Sequence, residues 1–100
     1  MDTKEKLMSA AKELTAELIS ALAKAGKELG LGDEAEEIAM QTVLGSAELI
    51  KQSGIHPIEL ADRVCSPGGT TIEGLLSLKK DGFEGLITKS VEEKFNNKEV

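Results

Sequence analysis

From Thr3 to Leu29 apolar residues return every three or four positions: Leu7, Ala11, Leu14, Leu18, Ala21 with Leu22, Ala25 and Leu29. That is the period of one face of an α-helix. Lys, Glu and Ala, all good helix formers, fill the gaps. At ~1.5 Å per residue such a helix runs roughly 40 Å, whereas a domain of this length has a radius of gyration of only ~13 Å. A helix that long either protrudes or lies against another chain. Gly30-Leu31-Gly32 breaks it, with Gly30 placed to supply the left-handed residue that ends a helix. Asp33 followed by Glu36 reads as a capping-box-like start for a second helix, from about Glu34 to Ser53. Its apolar residues cover more than one face from Ile38 onward, which predicts burial on two sides. Gly45 sits in its middle, at a cost of ~1 kcal/mol relative to Ala, and reads as a point of close helix–helix contact.

Gly54 ends that helix, and His56-Pro57 opens a short third one carrying Ile58, Leu60, Ala61 and Val64. Ser66-Pro67-Gly68-Gly69 stops it, because the residue before a proline is pushed out of helical geometry. Thr70 with Glu73 is a capping box for a fourth helix, running to about Lys80. After the Asp81-Gly82 turn, Phe83, Leu86, Ile87, Val91 and Phe95 form the stripe of a fifth, ending near Asn96 in a frayed tail. No stretch alternates like a strand, and there is no internal repeat or linker. The fold class predicted is all-α, two long helices followed by three shorter helices, in one domain over residues 1–100.

Composition sharpens this. The chain has 100 residues, about one domain, with room for a single core and not for separate cofactor and substrate domains. Phe83 and Phe95 are its two aromatic residues. The core must be aliphatic, which suits close helix packing, and so light a core calls for a second copy to complete it. The net charge of −6 disfavours nucleic acid or an anionic lipid surface as partner. No apolar run reaches the ~20 residues of a membrane span, and Met1 to Lys6 lack a leader's apolar stretch. With one cysteine, Cys65, no internal disulfide forms. The expected location is the cytoplasm. A single His and a single Cys make no zinc site, and His56 before Pro57 reads as a helix-start residue. The acidic run Asp33, Glu34, Glu36 and Glu37 reads as a solvated helix start.

One stretch could carry chemistry: Cys65-Ser66-Pro67-Gly68-Gly69-Thr70-Thr71. A Gly-Gly pair feeding a helix start leaves backbone N–H groups unpaired, adds the positive end of the helix dipole and admits close approach, the makings of a carboxylate or phosphate site. The same residues also suit a plain turn with a helix cap. No Lys follows the glycines, so this is not a Walker loop, nor is it a GxGxxG.

The stretch Gln41-Thr42-Val43-Leu44-Gly45, then His56-Pro57, then Val64-Cys65-Ser66-Pro67-Gly68-Gly69-Thr70-Thr71-Ile72, then Gly82-Phe83, resembles the C-terminal dimerisation domain of pyrroline-5-carboxylate reductase. The likeness runs from about Ala16 to Phe95, and SPGGTT with the upstream His-Pro is its specific part. The resemblance implies a helical domain that interlocks with a second copy as a homodimer, in a family that reduces a ring imine to proline with NAD(P)H. It implies that Ser66, Gly68, Gly69 and Thr70 cradle the substrate carboxylate through backbone N–H groups, and that Thr71 is a hydrogen-bond or proton donor near the imine nitrogen. Two departures stand beside it. No strand with a glycine fingerprint occurs, so no cofactor is expected in this chain and NAD(P)H is implied only for the full family enzyme. Where the family has a Gly/Pro-rich entry, this chain has Ser9-Ala10-Ala11-Lys12-Glu13-Leu14-Thr15-Ala16, ordinary helix with soluble residues, as in an excised and redesigned or a naturally reduced domain. Three functions follow for test: a dimerisation module without catalysis of its own, a reductase fragment competent only with a Rossmann domain, and a small-carboxylate binding site without chemistry.

Overall fold

The computed structural model describes residues 2–65 and 70–96. They form five α-helices: α1 (Thr3–Glu28), α2 (Glu34–Ser53), α3 (Pro57–Val64), α4 (Thr70–Lys80) and α5 (Phe83–Asn96). There is no strand among the described residues. The all-α class, the order of two long and three shorter helices, and the boundaries to within a residue or two are as the periodicity predicts. The tail beyond Asn96 lies outside the described residues.

Two compact units share the chain: Thr15–Val64, and Met1–Leu14 with Cys65–Val100. In the first, the latter part of α1 turns into α2 through a two-hydrogen-bond terminus. Leu31 N–H donates to the Gly26 carbonyl at 3.0 Å and Gly30 N–H to that of Lys27 at 3.1 Å. This is the Schellman arrangement, and Gly30, at φ +99°, occupies its left-handed position. A Cβ added at Gly26 would lie 3.3 Å from Leu31 Cδ1 and 3.0 Å from the Ala35 Cβ. The absent side chain of Gly26 is thus what lets α1 and α2 approach. Lys27 Nζ and Glu36 Oε1 pair across the same turn at 3.7 Å.

In the other unit, α4 and α5 contact each other, and α5 meets the start of α1. Lys94 Nζ donates to Glu13 Oε1 at 2.6 Å. The Lys6 ammonium lies 5.3 Å from the centre of the Phe95 ring. Ile87, Val91, Lys94 and Phe95 are the half-buried positions of α5, so the predicted stripe packs in its C-terminal part, while Phe83 and Leu86 stay exposed.

One sequence expectation needs correction. Asp33 does not cap α2 with its side chain; it sits in right-handed helical geometry, φ −70° and ψ −14°. A turn from Gly32 (φ +63°) feeds the helix, and Ala35 N–H bonds the Gly32 carbonyl at 3.3 Å. A cap needs extended backbone at that position. Within the chain most of the Leu stripe of α1, expected to lie against another chain, is uncovered, with Leu14 half-buried. Leu7, Leu18, Leu22 and Leu29 are exposed, and the buried positions are Ala10 and Ala23. Within the chain α2 is covered along one side, by the positions Ala35, Ala39, Val43, Ser46 and Ile50. The physical reason is common to both helices: small residues admit close backbone approach within the chain, and the large ones are left facing outward.

Candidate functional site

Of the residues proposed for a carboxylate cradle, Ser66, Gly68 and Gly69, with Pro67 between, lie outside the described residues. Thr70 and Thr71 open α4. Cys65, just before the loop, is half-buried and free. The helix start predicted at Thr70 is therefore in place.

His56 does what a helix-start residue does. Its Nδ1 accepts the Ile58 N–H at 3.1 Å, and its carbonyl accepts from Glu59 at 2.9 Å and Leu60 at 3.3 Å. The imidazole thereby satisfies an orphan donor in the first turn of α3, whose leading Pro57 has none to satisfy. Glu59 and Arg63 pair one turn apart at 3.1 Å on the exposed face. The acidic run at the start of α2 is a solvated helix start as read. Among the described residues no group of three His, Cys, Asp or Glu side chains is placed to hold a metal ion. An open groove of about 570 Å³ runs between α1 and α2, with Ile19, Ala23, Lys27, Glu36 and Met40 on its walls.

The dominant surface feature is apolar. Four alanines, Ala10, Ala23, Ala35 and Ala39, are the buried hydrophobic residues found, and large aliphatic side chains stand in water on every helix. On α2 alone Ile38 is 45% exposed, Leu44 57% and Leu49 50%. Apolar surface on this scale marks an interaction face. The sequence carried a sign of it: along α1 and α2, Ala or Gly recur on one side and Leu or Ile on another. Periodicity alone does not separate a side packed within the chain from one packed on something else.

A helical fold of this kind, with its aliphatic surface outward, defines an association domain. The chain belongs to the family described as pyrroline-5-carboxylate reductase dimerisation, whose model matches residues 1–99. Among relatives it is similar to the pyrroline-5-carboxylate reductases of Treponema pallidum, 46% identical over 77 residues, of Synechocystis, 49% over 75, and of Pisum sativum, 50% over 74. These alignments take in 76%, 74% and 73% of this chain and 29%, 28% and 27% of the relatives. The chain thus spans less than a third of the curated proteins it matches. No helix among the described residues is long and apolar enough to cross a membrane.

Proposed function

We propose that the chain is a homodimerisation module of pyrroline-5-carboxylate reductase type, without catalysis of its own, in the cytoplasm. The observation that carries the reading is exposed surface. Large apolar side chains stand exposed on all five helices, among them Leu7, Leu44, Ile58, Leu76 and Leu86, more apolar surface than a monomer ordinarily leaves in water. A second copy supplies the cover. The net charge of −6 and the exposed acids of α2 argue against nucleic acid or an anionic lipid surface as the cover. Multi-angle light scattering at micromolar concentration tests this; twice the chain mass is expected, and a monomer overturns it.

A second reading is favoured by the 46–50% identity to whole reductases: the chain is part of an NAD(P)H-dependent enzyme and becomes competent when a Rossmann domain is restored. A dinucleotide is held by a strand, a glycine turn and a helix N-terminus. In this reading the restored domain, and not the helices of this chain, holds the dinucleotide. What this chain contributes in either reading is a carboxylate cradle: the N–H groups of Ser66, Gly68, Gly69 and Thr70, with the Thr71 hydroxyl as hydrogen-bond or proton donor to a ring nitrogen. That α4 opens at Thr70 supports it, since the first N–H groups of a helix have no partner within the helix and here follow directly on the glycines in the sequence. Titrating proline while following the Gly68–Thr71 amide signals tests the cradle; shifts confined to that loop are expected, and unmoved signals at millimolar ligand remove it. NADPH oxidation on adding a separately made nucleotide domain tests the enzymatic reading.

A further inference from the structure

The first four N–H groups of a helix have no acceptor inside it. In α3 one residue accounts for all of them. Pro57 has no N–H to satisfy. The Glu59 and Leu60 N–H groups donate to the His56 carbonyl, at 2.9 and 3.3 Å, as they would to any residue's. The Ile58 N–H donates to the His56 ring, at Nδ1, 3.1 Å away. Little else holds this helix. It has eight residues and none is fully buried; Leu60 and Ala61 are half-buried, and the Glu59–Arg63 pair lies on the exposed face. Isolated helices shorter than ~12–15 residues are marginal in water, so the closing of its first turn decides whether α3 forms.

Asn, Asp and Ser are the favoured caps, and capping strength alone does not account for a histidine. What the imidazole adds is a change of charge between about pH 5 and 8. Nδ1 accepts a hydrogen bond only while it carries no proton; the cationic ring is a donor at both nitrogens. Protonation therefore removes the acceptor that Ile58 uses, and it sets positive charge at the positive end of the helix dipole. On its own helix the nearest charged group is Glu59, already engaged by Arg63 at 3.1 Å, and Asp62 lies a turn further on. Among the described residues no hydrogen bond or ion pair from another helix reaches the ring. His56 is exposed, so solvent delivers the proton directly.

We propose that α3 is a pH-sensitive helix, its first turn closed by neutral His56 and released when the ring takes up a proton. The closed turn favours the neutral ring. Its stabilisation is therefore complete above the range in which imidazoles titrate and is lost as the pH falls through it. The test uses the full chain and hydrogen exchange of the Ile58–Val64 amides by NMR, corrected for the intrinsic rate at each pH. Protection is expected to be about 10-fold lower at pH 5 than at pH 8, while α2 and α5 keep theirs. His56→Asn keeps an acceptor that does not titrate, and its α3 should hold the same protection at both pH values. Unchanged protection in the unsubstituted chain overturns the proposal. So does an equal loss in His56→Asn, which would place the titrating group elsewhere, and so does a loss shared by α2 and α5, which would be global unfolding. A second readout is the ring itself: imidazole nitrogen shifts at pH 8 should place the proton on Nε2, and a proton on Nδ1 overturns the cap.

Discussion

At the scale of single residues, the stabilising details are hydrogen bonds at helix ends and the spaces left by glycines. His56 is a helix cap built from an imidazole, so its value to the fold is one N–H satisfied in an eight-residue helix. His56→Ala should lower stability by about 0.5–2 kcal/mol, while His56→Asn, which keeps an acceptor, should recover most of it in urea unfolding. Gly26 works by absence. A larger residue there meets Ala35 on the neighbouring helix, whose Cβ is already at 3.0 Å from the added carbon. Gly26→Leu should therefore destabilise by about 1–3 kcal/mol through overpacking, despite the gain in helix propensity, and the unfolding midpoint decides the matter. Sequence legibility divides at this scale. The left-handed role of Gly30 was readable, because a glycine just past a periodic run has few other uses. The Asp-x-x-Glu pattern occurs at Asp2–Glu5, Asp33–Glu36 and Asp81–Glu84, and a side-chain cap forms at the first, where Asp2 Oδ1 accepts the Glu5 N–H at 2.8 Å, but not at Asp33. The difference is the turn from Gly32, which delivers Asp33 already in helical geometry, and a pattern of residue types does not contain that.

Elements were legible where length and punctuation decide, and less so where the packed side must be chosen. All five helices follow from apolar period and from Gly or Pro at their ends. The side on which each packs does not. In α1 the Leu positions make the stronger periodic pattern, yet Ala10 and Ala23 are the ones buried. The hydrophobic pattern reports every burial the chain will undergo, within itself or against another copy, and does not label which is which. The candidate loop was legible as a stop and a restart, and the restart at Thr70 is observed. The attachment of α5 to the start of α1 was not foreseen, since it depends on residues 81 positions apart. The Lys6–Phe95 contact there is a cation held over an aromatic ring on a half-buried position. Phe95→Leu keeps the apolar bulk and removes the ring's quadrupole. It should cost about 0.5–1 kcal/mol. The comparison with a Lys6→Gln chain isolates the pair: in the double variant the two losses should fall short of additive.

For the whole molecule, the decisive quantity is how much of its stability belongs to one chain. The fully buried hydrophobic residues found are alanines, and burying a methyl side chain contributes little: at ~25 cal/mol per Å² the large aliphatic residues are where the hydrophobic stabilisation lies, and those are half-buried, as Val43, Ile50, Ile87 and Val91, or exposed, as Leu7, Leu44 and Leu86. A domain of about 100 residues needs a net 5–15 kcal/mol to be stably folded. Four buried alanines, a set of half-buried aliphatic residues and a few surface ion pairs, each worth less than about 1 kcal/mol, make a thin core against the entropy of ordering five helices. Folding and association should then be one equilibrium. Anything that binds the folded chain and not the unfolded one raises apparent stability by mass action, and a second copy is such a ligand. The thermal midpoint should accordingly rise with protein concentration, by several degrees between about 1 and 100 μM for a chain this small. The urea midpoint should move upward in parallel with unchanged m-value. A chain that folds alone would show the same midpoint at both concentrations, and the exposed aliphatic residues would then have to be tolerated in water rather than covered.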